Sequence, residues 1–304
     1  MIIMRRVNRY HASLITIPIN LKKKFMEKIV LVLDGSRLDM VTVDFACYIA
    51  RLTHSRLTAL FIENIKGEAR PALKQLYSLP YVETITAGDL PENEERLSCC
   101  EKSEKSFCDA CINRGVNFNV HRNQKASVKD IVTESRFADL IIVNPATSFE
   151  DQNEGAPSHF VKEILADAEC PVIIAPYSFN GLGEILFTYD GSRSSVFAIK
   201  QFIHFFSGLC DKKATVLQID RNKSAPFKEN ERIAELLQSH CSQISFQHLR
   251  GNPEDELFDY LLPKKNTLVV MGSFGRGLLS TLFSPSTSDL VVKNINLPIF
   301  IAHY

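Results

Sequence analysis

The chain has 304 residues, which at roughly 150 residues per domain suggests two domains. Its hydrophobic share of 45% and charged share of 23% are those of an ordinary globular chain and argue against bulk disorder. Lys and Arg together number 35, as do Asp and Glu, so no net field draws nucleic acid or an acidic membrane surface. No apolar run approaches the roughly 18–20 residues of a membrane span.

In chain order, residues 1–25 come first as a basic extension in which Pro18 interrupts the apolar Leu14, Ile15, Ile17 and Ile19. It lacks the long apolar run and small-residue cleavage site of a secretory signal, so the expected compartment is the cytoplasm. A strand-like run follows Met26 and ends in KIVLVLDGSR at residues 28–37. Residues 65–91, rich in Pro and Gly, read as a loop. Residues 94–114 read as one helix carrying Cys99, Cys100, Cys108 and Cys111. At about 100° per residue, Cys100, Cys108 and Cys111 share a face with Leu97 and Phe107, while Cys99 points elsewhere. Four ligands cannot converge on one zinc ion from a single straight helix, so neither zinc nor a disulfide is expected there. These thiols read as small core residues, with Cys99 as the alternative seat of a thiol sensor.

The chain repeats itself. EILFTYDGSR at residues 184–193 matches the earlier KIVLVLDGSR, placing Asp190 156 positions after Asp34. TLVVMG at 267–272 matches DLIIVN at 139–144, and LPIFIA at 297–302 matches CPVIIA at 170–175. The resulting division is 26–178 and 183–304, with SFNGLG at 178–183 as linker. In the second copy, residues 185–189, 214–219, 244–249, 268–271 and 299–302 read as strands. Residues 194–206, 228–240, 254–262 and 285–293 read as the intervening helices. Near-continuous apolar strands alternating with helices predict two doubly wound parallel-sheet α/β domains in tandem. In such sheets ligands bind beyond the carboxyl ends of the strands, where strand order reverses.

The chemistry to examine therefore follows the strands. After the fourth strand of the second copy comes Gly272-Ser273-Phe274-Gly275-Arg276-Gly277, then a helix start at Ser284-Pro285-Ser286-Thr287. Glycines let backbone N–H groups approach a ligand, and a helix N-terminus adds orphan donors and partial positive charge, a combination suited to phosphate. Opposite stands the strand tipped by Asp190, an acceptor for a ribose or base edge.

These residues resemble the nucleotide signature of the universal stress proteins, G-x-x-G, nine residues, then G-S/T. Three of its four marked positions match, as Gly272, Gly275 and Ser286. The resemblance spans residues 26–304 and implies the tandem form of that family, with its adenine-nucleotide-hydrolase-like α/β fold. It implies that Gly272, Gly275 and Ser286 meet the phosphates of ATP or a related adenine nucleotide, with or without magnesium, and that Asp190 and Ile219 meet the adenosine. Pro285 stands where the family has glycine and lacks its N–H; it suits a helix start with Ser284 as N-cap, and Pro157-Ser158 repeats it in the first copy. The family also pairs domains through their last strands, which here implies contact between residues 171–176 and 298–302, and makes a homo-oligomer through last strands or domain faces an expectation.

The first copy departs further. Asn144 and Thr147 replace both glycines, and Glu150, Asp151 and Glu154 line the loop, with no Lys or Arg in it. Three carboxylates oppose a polyphosphate, so this half reads as structural or regulatory. Enzyme motifs are missing: no G-x-S-x-G, no H-E-x-x-H, no P-loop. The histidines are scattered, with His204 and His248 reading as ordinary satisfied residues. Any hydrolysis is expected to be slow. The alternative function is an interaction module that has lost nucleotide binding.

Overall fold

A computed structural model describes residues 26–65, 67, 70–76, 79–85, 90–124, 127–149, 154–221, 226–272 and 296–302. The extension 1–25, Glu150 and Asp151, Gly275, Pro285, Ser286 and the predicted helix 285–293 lie outside the described residues.

The first half runs β1 (Lys28–Asp34), α1 (Met40–Thr53), β2 (Arg56–Ile62), β3 (Arg70–Leu76), β4 (Leu79–Ile85), α2 (Pro91–Arg114), β5 (Phe118–Asn123), α3 (Val128–Ser135), β6 (Leu140–Val143), α4 (His159–Asp167) and β7 (Val172–Ile174). The second runs β8 (Glu184–Thr188), α5 (Arg193–Phe205), β9 (Lys213–Asp220), α6 (Asn230–Gln238), β10 (Gln243–Arg250), α7 (Pro253–Leu261), β11 (Thr267–Gly272) and β12 (Ile299–Ala302). The strands of the second half fall within a residue or two of those read from the sequence.

One ten-stranded sheet contains both halves, in the order β10-β9-β8-β11-β12-β7-β6-β1-β2-β5. Within each half all neighbours are parallel. The halves meet where β12 pairs antiparallel with β7, Phe300 opposite Ile173. The implied contact of last strands is thus formed inside one chain. Both strands are paired on each side, which corrects the expectation of self-association through last strands: their edges are already used.

Burial on both faces explains the composition of the strands. In β1, Ile29, Leu31 and Leu33 point into one core layer and Val30 and Val32 into the other. The first layer lies under α1, α2, α5 and α6, with Phe45, Phe107, Phe202 and Leu237 fully buried. The second lies under α3, α4 and α7, through Ile131, Ile164 and Leu257. Both layers run across the two halves, so the core is shared. The linker is also anchored: Phe179 packs edge-on against Phe45 and Tyr48 at 5.0 Å, and Gly183 N–H donates to the Asn266 carbonyl at 2.7 Å.

The stretch 65–91 is not a loop. β3 and β4 pair antiparallel over seven positions, Arg70 opposite Ile85 and Leu76 opposite Leu79. Pro71 and Pro80 disguised them, because proline reads as a breaker; a two-stranded sheet consists of edges, where a missing N–H is tolerated.

Candidate functional site

In each half the first and fourth strands lie side by side, β1 against β6 and β8 against β11, and the strand order reverses between them. Beyond their carboxyl ends the chain leaves a cleft in both halves. That of the second half is narrow, with a cavity volume of about 30 Å³. Leu217 and Ile219 of β9, Leu257 of α7 and Met271 of β11 supply its apolar wall, and Asp190, Ser192 and Ser195 its polar one. Asp190, Ile219 and Gly272, distant in sequence, therefore line one cleft.

Asp190 follows β8 and starts a tight turn. Its Oδ1 accepts the Ser192 N–H at 2.9 Å, and Gly191 takes φ +76°, a conformation that glycine adopts without strain. Ser192 caps α5, its Oγ accepting the Ser195 N–H at 3.1 Å. Lys228 lies across this turn: its Nζ donates to the Asp190 carbonyl at 2.9 Å. Behind it, Asp220 accepts from Gln218 Nε2 and pairs with His248 Nε2 at 2.9 Å. Burial raises the Asp220 carboxyl, but hydrogen bonds from Gln218 and His248 and the charge of Lys228 outweigh it and hold it below the usual carboxylate value. His248 is thus a satisfied residue, as its sequence context suggested. Tyr189 is buried against Phe227, rings stacked at 6.0 Å, and burial raises its phenol.

Gly272 also has a packing role. A Cβ built on it would lie 2.5 Å from the Ser194 carbonyl carbon and 2.7 Å from the Ser195 nitrogen. The glycine thus admits the first turn of α5, and its close approach is to protein backbone. Beside it, Ser194 Oγ is buried without a hydrogen-bond partner among the described residues. Leu257 and Met271 were not singled out from the sequence. Leu257 sits on the apolar face of a helix and Met271 in an unbroken apolar strand, so each reads as core, and only the packing of α7 over β9 and β10 brings Leu257 to the cleft beside Met271.

The first half uses the same positions differently. Asp34 Oδ1 accepts both the backbone N–H and the hydroxyl of Ser36 at 2.8 and 2.7 Å. Where Gly272 stands in the second half, Asn144 donates from Nδ2 to Asp39 Oδ2 at 2.8 Å and Thr42 Oγ1 at 3.0 Å. Ser158 caps α4 by accepting the Val161 N–H at 3.2 Å. The Glu154 carboxylate accepts the His159 N–H at 2.9 Å. The protein's own anion therefore occupies a helix N-terminus that would otherwise suit a ligand's. This cleft also contains Arg37 and Arg96, brought in from outside the acidic loop.

Among the described residues no group of three or more His, Cys, Asp or Glu is placed to hold a metal ion. No described helix is long and apolar enough to cross a membrane. All eight cysteines are free thiols. Of the predicted helix face, Cys100 and Cys111 are fully buried with Phe107, while Cys108 and Leu97 are half-buried; burial pushes the Cys100 thiol up to about 11.

Fold and clefts define a class: paired doubly wound α/β units, each with a hollow at its strand switch point. Residues 182–303 match the model of the Universal stress protein family. Over 289 residues the chain is 20% identical to Universal stress protein Slr1230 of Synechocystis sp., covering 90% of this chain and 99% of that protein. The crystal structure of a universal stress protein from Archaeoglobus fulgidus superposes with a TM-score of 0.63 at 16% identity, covering 92% of this chain and 97% of that one. A putative universal stress protein from Pseudomonas aeruginosa gives 0.54 at 16% identity, with 91% and 93% covered. At such identities the structures speak for the fold. The chain is similar to the universal stress proteins in two-domain form, and its second half matches the family directly.

Proposed function

We propose that the chain is a stress-response protein that binds ATP or a related adenine nucleotide in its second half, and that the first half has a structural or regulatory role. The observation that carries this is the convergence of Asp190, Ile219 and Gly272 on one cleft with an apolar wall. In this reading the base lies against Ile219, Leu257 and Met271, and the ribose meets the Asp190 carboxylate. The phosphates, with any magnesium, fall to Gly272, Gly275 and Ser286. In this reading the role is binding, with at most slow hydrolysis.

We read the domains as 26–178 and 183–304, with 1–25 as an extension, the compartment as the cytoplasm, and self-association as using outer domain faces. Mass spectrometry of ligand released on denaturing freshly purified protein tests the proposal, together with calorimetric titration of ATP. Release of an adenine nucleotide, and heat saturating near one site per chain, is expected. No heat at millimolar ATP favours the second reading, a protein-interaction module, which the proline at 285 supports. Pro285→Gly, restoring an N–H donor, is expected to tighten binding a few-fold.

A further inference from the structure

Two cysteines that play no part in either cleft lie in contact. Cys47 stands in the middle of α1 and Cys111 near the end of α2. Their Sγ atoms are 3.8 Å apart, and both residues are fully buried. One turn away on each helix, Asp44 and Arg114 join the same two helices by an ion pair. Arg114 also donates from Nη1 to the Ala110 carbonyl at 3.1 Å, which fixes the guanidinium at the end of α2. Beside this pair opens a polar hollow of about 670 Å³ lined by Asp44, Tyr48, Arg51, His54 and Arg114. Its lining includes Arg51 and Gly115, four positions beyond Cys47 and Cys111 respectively.

We propose that Cys47 and Cys111 are an oxidation site, closed to a disulfide between α1 and α2 by a small peroxide such as hydrogen peroxide. The Cys47 thiolate attacks one peroxide oxygen and the O–O bond breaks. This leaves a sulfenic acid on Cys47, and the departing hydroxide takes up a proton as water. The Cys111 sulfur then displaces the second oxygen as water, and the S–S bond forms. Two thiols thus lose two protons and two electrons, and one peroxide becomes two waters. We take Cys47 as the attacking sulfur because the contact with Cys111, with the charges of Arg114 and Arg51, outweighs burial and the charge of Asp44 and lowers its value. The same contact raises Cys111, which remains a thiol until the second step. Bonding distance is about 2.05 Å, so the sulfurs must approach by somewhat under 2 Å from their 3.8 Å separation.

The test is peroxide treatment of the folded full-length chain, followed by alkylation in denaturant, digestion and mass spectrometry. The expected result is a peptide pair joined through Cys47 and Cys111, reversed by dithiothreitol and retained in Cys99→Ser. Oxidised protein is expected to melt several degrees higher, since the link closes a loop of 64 positions in the unfolded chain. Cys47→Ser and Cys111→Ser each remove the joined pair; if either variant fails to fold, the map of the unmodified protein decides alone. Recovery of Cys47 and Cys111 as alkylated thiols, with the oxidant found on Cys99 or Cys108, overturns the proposal.

Discussion

The two halves share strand order, cleft position and an aspartate-tipped first strand, yet they close the space between first and fourth strands in opposite ways. In the second half α5 starts at Arg193, three residues after Asp190, and its first turn lies on Gly272 with no room for a Cβ. In the first half α1 starts only at Met40, six residues after Asp34, and the space left by the missing turn is filled by the Asn144 side chain, bonded to Asp39 and Thr42. Glycine with an early helix and asparagine with a late one are two solutions to one packing problem. The difference decides what faces the cleft: an apolar wall with Asp190 in one half, and a web of internal hydrogen bonds with Glu154 on the helix end in the other.

The largest expected effect breaks the tighter solution. Gly272→Val forces a branched side chain into the backbone of α5 and is expected to cost about 2–4 kcal/mol, a fall in Tm of roughly 5–10 °C, with loss of nucleotide binding as the wall shifts. Thermal unfolding beside Asn144→Val checks it; equal losses would mean that the two halves are packed alike. Next comes Asp190→Ala, expected to weaken ATP binding by about 1–3 kcal/mol, the scale of a lost hydrogen bond to a charged group. Asp34→Ala is expected to leave the affinity unchanged. Titration calorimetry on both variants is decisive, since equal weakening removes the asymmetry.

Smaller is Asn144→Ala, which takes away the donor to Asp39 and Thr42 and is expected to lower stability by about 1–2 kcal/mol without touching ATP affinity. Denaturant unfolding measures it.

The smallest effect is a pH dependence in the second half. Burial raises the Glu184 carboxyl, but hydrogen bonds from Lys264, Thr215 and Lys213 outweigh it and lower it from 4.5. A carboxyl lowered by folding stabilises the fold fully above that ordinary value and stops doing so as pH falls through the lower one. Glu184→Gln is therefore expected to flatten the loss of stability below about pH 4.5 by less than about 1 kcal/mol. An unaltered acid limb in chemical denaturation at a series of pH values would count against that role.

Self-similarity and apolar runs were enough to read the doubly wound class, the two copies and most strand positions, because a strand buried on both faces must be apolar throughout and a repeat must repeat its core. Asp190 and Gly272 could be singled out for a related reason, since strand ends are visible in sequence, whereas Ile219 came from the family resemblance; that the three line one cleft is what the structure adds. The hairpin of β3 and β4 was not, since its prolines carry a breaker's signal that only edge pairing reconciles. Nor was the role of Gly272, the inward turn of Leu257 and Met271, or the meeting of Cys47 with Cys111 across α1 and α2. Each depends on which element lies over which, and side chains far apart in sequence acquire neighbours only when helices settle on the sheet. Local pattern fixes what an element is and which face it buries; the atom that a buried face touches is decided by packing alone.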